Sequence, residues 1–524
     1  EGEHILTRWF PENDVMIHKV IDKPIAMYDM KSLMHGQTMI RPDGLSGAGI
    51  FEFEKAEVEA KVIKFKYEEF DSDTADFRLK DDALANELTF STINVNAHVS
   101  FKDRNGLFKS NGGGSFIDFP QNQYICYMDE FKWFMDNDKI ELSAGETAAN
   151  EASDVKLEGA QFISVHPDQD SLSFFSSKAT YNIHKKIIRA AGVKYINVAD
   201  AMVYPDKQEI TILKKAKIKT LHNAKVVASY ITQYHHIYNA TINIFGKKNY
   251  SGSGYIDYVD EIERKQTIFL QNLGVQPSGQ TYATAVIKDT AQFKLSPVYD
   301  FYGKVNLFAN NEFLTFDGHC RIKHDCDLLT KNWFSFKTEI NPNDIYIPID
   351  SLTKNVAGKP LIASVLLSSD SLGVYSAFLN RKKRPSNQEV IAAQGFLHYD
   401  KTTEEYRISN KDKLQEMSFN GNFLSLSTKS CKIYGEGKIN LGAQLGQVTL
   451  NAAGLVTQNQ LDNESIFDLV FITNFFFTDD ALKKMTKRLQ ESSTLDPAKL
   501  DRPTFEKGLR ELLGKDEGDK LIAE

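Results

Sequence analysis

Cysteine is scarce in this chain: Cys126, Cys320, Cys326 and Cys431 are the only four in 524 residues. They are too few to build a disulfide framework at this length, and their mutual spacing is unlike a structural zinc motif. The redox compartment is therefore left open. Proline is sparse too, at 14 residues, which weighs against a proline-rich disordered chain. No run reaches the roughly 20 apolar residues of a membrane-crossing helix. The longest, residues 466–477, is broken by Asp468, Thr473 and Asn474. Neither Gly-x-Ser-x-Gly nor His-Glu-x-x-His occurs, so the common serine-hydrolase and zincin signatures are absent. The formal net charge is −8, with basic residues scattered among acidic ones. That distribution excludes the positive stripe of a nucleic-acid partner.

Aromatic residues are abundant, with 35 Phe and 21 Tyr, and favour strands over disorder. The length calls for two to four domains or one long repeat array. Two glycine-led phrases recur: Gly303-Lys-Val-Asn-Leu307 leading to Leu314-Thr-Phe316, and Gly437-Lys-Ile-Asn-Leu441 leading to Val448-Thr-Leu450. Each is followed by a further glycine, Gly318 and Gly454. A unit of two alternating strands cannot bury its apolar face alone, so such units must stack or pair.

The expected fold class is all-β: repeated antiparallel hairpins in a jellyroll- or solenoid-like array, with a short α-helical C-terminal segment. Residues 1–43 read as an irregular leading segment and 44–142 as a first β module, opened by Gly44-Leu-Ser-Gly47-Ala-Gly49. The low-complexity run Ser143–Ser153 marks a boundary. Residues 154–345 and 346–478 read as two β-repeat modules with turn signals such as Tyr204-Pro-Asp206. In 466–477, Phe467, Leu469, Phe471, Phe475 and Phe477 share one strand face. That face is either buried or turned to lipid or a partner. From Thr478, an N-cap followed by Asp479 and Asp480 starts a helix carrying Leu482, Met485 and Leu489. A second helix begins near Pro503, with Phe505, Leu509, Leu512 and Leu513 on one side. Such an amphipathic end docks on the sheet or meets a further domain or partner. The chain begins at Glu1 and stops within a helical stretch, and reads as a fragment or a processed piece.

Candidate chemistry is thin. In His319-Cys320-x-x-x-His324-x-Cys326, the residues Cys320, His324 and Cys326 share a strand face. Cys320 and Cys326 would lie about 20 Å apart on a straight strand, so only a turn at His324-Asp325 brings them together. Core cysteines with surface histidines, a metal site and a Cys320–Cys326 disulfide all fit. Asp71-Ser-Asp73-Thr-Ala-Asp76 has the acids of a calcium loop without its glycine and distal Glu, and reads as a solvated strand connection. Gly44-x-x-Gly47-x-Gly49 and Gly112-Gly-Gly114 lack the Lys-Ser/Thr and helix of a phosphate cradle. His235-His236 reads as strand surface. With 70 acidic residues, no pair is singled out for glycoside hydrolysis. No catalytic residue, metal ligand or cofactor is assigned.

The stretch Ala179-Thr-Tyr181, Gly192-Val193 and Val198-Ala-Asp-Ala-Met-Val-Tyr204 resembles the repeat of OstA/LptA-like envelope proteins, over about 50 residues, and the two glycine-led phrases echo it. In its turn phrasing the chain is also similar to large envelope proteins of Bacteroidota. The resemblance implies a periplasmic or outer-membrane-associated cell-envelope protein. It would be a non-catalytic scaffold or interaction subunit with protein partners, and lipid or lipopolysaccharide handling is the nearest variant. The alternative from another class is a polysaccharide-binding or polysaccharide-active β-protein using Trp133, Tyr and Phe as sugar platforms, and a surface adhesin is the third.

Overall fold

The structure, a computed structural model, describes residues 2–81, 87–144, 159–370, 373–418, 420–442, 448–460, 462, 464–492 and 501–523. Strand makes up 56% and helix 10%, so the all-β class with a helical end holds. The sheets are antiparallel and no barrel closes among the described residues. The chain forms two compact units: residues 1–256 with 269–284 and 308–312, and residues 257–268 with 285–307 and 313–524.

The first unit opens with a meander. Ile5–Phe10 pairs with Val15–Val20, which pairs with Ser32–Arg41. Gly44–Phe53, Ala56–Lys66, Glu69–Lys80 and Leu88–Ser100 follow, each paired with its predecessor. Within the segment 1–43, read as irregular, the described residues from Ile5 on form strands joined by short tight turns.

Three of these strands change which side is buried partway along. Val58 and Ala60 are buried, then Ile63 and Phe65; Phe70 and Ser72, then Ala75 and Phe77; Phe90 and Thr92, then Val95 and Ala97. An extra residue at each slip keeps the apolar side inward while the strand bends, as a β-bulge does. Ser72 Oγ sits 2.8 Å from Val62 O and 3.2 Å from Thr74 O, pinning two neighbouring bulges. Asn94, Asn223 and Asn239 occupy left-handed backbone at φ 54°, 53° and 46° in strands whose register slips. Asparagine tolerates that conformation better than other non-glycine residues.

Bending lets one strand serve two ladders. Residues 95–100 of Leu88–Ser100 pair with Asn105–Ser110, whereas residues 91 and 92 pair with Ile117–Phe119. The chain then delivers strands alternately. The first ladder continues through Glu130–Phe134, Lys139–Ser143, Lys178–Asn182, Ile187–Ala191 and Glu209–Ile212. The second runs through Tyr124–Cys126, Ala160–Ser164, Ser173–Ser176, Ile196–Val198, Ala201–Tyr204 and Leu221–Ala228. Most of the run Ser143–Ser153 lies outside the described residues. The ladder continues across it, because Lys139–Ser143 pairs directly with Lys178–Asn182.

The space between the ladders is filled. Phe90 packs on Phe131 of the first ladder at 5.0 Å and on Phe119 of the second at 5.5 Å. Phe119 meets Tyr181 at 5.0 Å, and all four rings are buried.

The second unit carries both glycine-led phrases. Tyr299–Phe308 pairs with Thr315–Ile322 so that Gly303 faces Gly318. Lys432–Ile439 pairs with Thr449–Asn459 so that Gly437 faces Gly454. The two phrases are thus locally equivalent hairpin sites, and Gly36 facing Gly49 in the first unit is a third. Gly303 has φ +145° and Gly454 φ +154°, and a Cβ on Gly454 would lie 2.1 Å from Asp468 O. Only glycine permits that backbone and that approach.

A seven-stranded sheet contains Ile347–Ile349, Gly395–Asp400, Glu405–Ser409, Phe423–Ser427, Lys432–Ile439, Thr449–Asn459 and Ser465–Asn474. A three-stranded sheet of Val374–Asn380, Ile362–Leu367 and Gln388–Ala392 accompanies it, with Ser376 Oγ hydrogen-bonded to Gln458 Oε1. Three helices follow, Asp479–Gln490, Arg502–Leu513 and Lys515–Ala523.

Replacing Gly303 or Gly454 by valine is expected to destabilise its hairpin by about 1–3 kcal/mol from backbone strain alone. Denaturant midpoints measure this. A loss no larger than that of Lys304→Ala, an exposed neighbour, would show that the facing glycines are dispensable.

Candidate functional site

The residues singled out for chemistry are dispersed. Cys320 is buried in Thr315–Ile322, and His319 on the opposite side stacks on Tyr302 at 4.9 Å. Burial pushes the Cys320 and Cys126 thiols well up and the His319 imidazole down. A raised thiol is a poor nucleophile. His324 is buried, and its Nδ1 accepts from Cys326 N at 3.3 Å. No group of three or more potential metal ligands occurs among the described residues.

Cys326 forms a disulfide with Cys431, with Cα atoms 5.5 Å apart. Of the three readings left open, the Cys320–Cys326 disulfide does not form, and core cysteines with surface histidines hold for Cys320 but not for the buried His324: alternation sends Cys320 into the core, whereas Cys326 lies beyond the strand end and meets a turn 105 residues away.

The acids at 71–76 lie inside the strand Glu69–Lys80, not in a connection, and each has its own partner. Asp71 Oδ1 is 2.6 Å from His98 Nδ1 and Asp71 Oδ2 is 2.8 Å from Lys66 Nζ. Burial pushes the Asp71 carboxyl up, but Lys66 and His98 outweigh it and hold the carboxyl below its ordinary value. Asp73 pairs with Lys64 at 3.0 Å, and Asp76 Oδ1 accepts from Asn94 N at 3.0 Å. Gly112, Gly113 and Gly114 form an open turn with left-handed φ and no atom within 4 Å of a built Cβ. Gly44, Gly47 and Gly49 belong to a strand. His235 is buried with Nε2 2.8 Å from Asn311 O, whereas His236 is exposed.

Trp133, expected as a sugar platform, is 3% exposed and packs on Phe77 at 5.5 Å. A half-buried aromatic group that the sequence reading missed gathers Tyr302, His319 and Trp333, but the Arg321 guanidinium already covers the Trp333 ring at 4.4 Å. Its members come from separate strands and a loop, so no local motif signals it.

The unsatisfied surface is at strand edges. Ser465–Asn474 pairs with Thr449–Asn459 on one side and with no strand on the other among the described residues. A row of free backbone donors and acceptors is a template for another strand. The apolar run containing it is not a buried strand: Val470 is buried, but Ile466, Phe471, Phe476 and Phe477 are 50%, 49%, 65% and 54% exposed. Ile5–Phe10 is likewise paired on one side among the described residues, and Leu6, Trp9 and Phe10 are exposed.

Of the C-terminal helices, Arg502–Leu513 docks on the seven-stranded sheet. Gly508 allows the approach, since a Cβ there would lie 2.7 Å from Val470 Cγ2, and Leu509 is buried. Polar groups fix the docking. Glu436 Oε1 receives Lys413 Nζ at 2.7 Å and Lys507 Nζ at 2.6 Å, while Lys413 also donates to Gly421 O at 2.6 Å. Glu511 accepts from Gly421 N at 3.0 Å. Asp479–Gln490, by contrast, buries none of its residues.

No protein-family model, curated protein or solved structure matches the chain.

Two outcomes follow from this geometry. Denatured protein without reductant should expose two reactive thiols, Cys126 and Cys320, and four with reductant; Cys431→Ser should cost about 2–4 kcal/mol. Four thiols without reductant would rule the cross-link out. Glu436→Gln leaves Lys413 buried without its counter-charge, a change worth about 3–5 kcal/mol. Hydrogen exchange should rise in Arg502–Leu513 in that variant.

Proposed function

We propose that this chain is a non-catalytic scaffold or interaction subunit of the cell envelope, periplasmic or outer-membrane-associated, that works through protein partners. The observation that carries this reading is the open edge at Ser465–Asn474, where unpaired backbone groups and exposed Phe471 lie together. Edge strands of this kind recruit a partner strand through main-chain hydrogen bonds, with side chains supplying selectivity. The Cys326–Cys431 cross-link suits an oxidising compartment.

Scaffolding is favoured over lipid carriage because the described space between the ladders of the first unit holds Phe90, Phe119, Phe131 and Tyr181 rather than an acyl-sized groove. It is favoured over sugar recognition because Trp133 is buried.

Purification from membranes in mild detergent, followed by mass spectrometry, should recover a protein partner. Phe471→Lys, which places a charge on the open edge, should release it while leaving the unfolding free energy within about 0.5 kcal/mol of the parent. Recovery of the parent as a free monomer would overturn the reading. Bound amphiphile in native mass spectra would restore lipid carriage in its place.

A further inference from the structure

In the segment from Phe475 to Gln490, exposed apolar side chains lie beside exposed cationic side chains. Phe475 and Phe477 stack on each other at 5.7 Å, and Phe476 and Phe477 are exposed. They lead directly into the helix Asp479–Gln490. On that helix Leu482, Met485 and Leu489 fall on one side, three and four residues apart, and Lys483, Lys484, Lys487 and Arg488 fall on the other. No side chain of the helix is buried, and Leu489 is exposed. A twelve-residue helix with such a stripe is marginal in water on its own, so its apolar side calls for a surface to cover it.

Charge says which surface. The helix carries four cations against two acids, on a chain whose net charge is −8. Asp479 and Asp480 sit in the first turn, where the helix dipole favours them, which leaves the remaining polar side uniformly basic. Lys487 reaches Glu491 only at 4.0 Å, and Lys483, Lys484 and Arg488 make no ion pair among the described residues. A basic polar side opposite Leu and Met, preceded by Phe residues, is the composition of a helix lying in a bilayer interface. Aromatic rings at headgroup depth fit the same placement.

We infer that residues 475–490 form a peripheral membrane anchor that lies on an anionic lipid surface, with Phe476, Phe477, Leu482, Met485 and Leu489 entering the interface and Lys483, Lys484, Lys487 and Arg488 meeting the headgroups. This goes beyond the scaffold reading by naming the part that touches lipid. It rests on that reading only for which membrane is met.

The purified full chain tests it with two vesicle preparations, phosphatidylethanolamine with phosphatidylglycerol, and phosphatidylcholine alone. Flotation should recover the chain with the first and not the second, and binding should weaken in high salt. Lys483→Gln with Lys487→Gln should weaken binding about 30-fold, at the usual contribution of a surface-adsorbed cation. Leu482→Gln with Met485→Gln should also abolish flotation. The altered side chains are not buried, so circular dichroism of each variant should match the parent. Absence of binding to the anionic vesicles, equal binding to both preparations, or anionic binding untouched by either pair of substitutions would overturn the inference. A protein that binds this helix while the vesicles do not would do so as well. Failure to recover an edge-strand partner would leave this result unaffected.

Discussion

The fold depends on keeping one side of a long strand dry while the strand turns a corner. A straight strand of 11 to 13 residues, such as Ala56–Lys66 or Leu88–Ser100, would run past any single-layer core of comparable width. An inserted residue at 61–62, 73–74 or 93–94 lets the strand bend without exposing its apolar side. Where no residue is inserted, glycines face each other across the pair, as at Gly303 and Gly318. The inserted residue makes room for a bend, and the facing glycines make room for close backbones.

From that constraint the rest of the first unit follows. Because Leu88–Ser100 bends, its two halves seed two ladders, and the chain must cross between them to extend both. The crossings bring Phe119 and Tyr181 together from opposite ladders, along with Asn122, whose Nδ2 donates to Lys186 O at 2.8 Å. Aromatic side chains suit this space because each fills a large volume with little rotamer entropy lost.

The second unit handles its polar groups differently. Its sheet accepts a helix only because Lys413, Glu436 and Lys507 satisfy one another beneath it. Buried charge of this sort contributes little net stability but penalises any arrangement in which one member is missing. It therefore fixes where Arg502–Leu513 sits. The helix Asp479–Gln490 has no such anchor among the described residues and buries none of its own, although both helices show an apolar side in the sequence.

Alternation of apolar and polar residues was enough to establish strands, the all-β class and the helical end, because that period is local and depends only on backbone geometry. The recurrence of glycine also marked Gly303 and Gly437 as special, and the slips in alternation at 61–62, 73–74 and 93–94 were present in the sequence for a reader looking for bends. What alternation cannot state is which element covers each side. Trp133 and Phe471 both lie on apolar sides of strands, yet one is enclosed by Phe53 and Phe77 of the opening meander and the other is left open. Cys326 found Cys431 and not Cys320 for the same reason. Partners far apart in sequence are chosen by how the ladders and sheets close on one another, and only the tertiary structure holds that information.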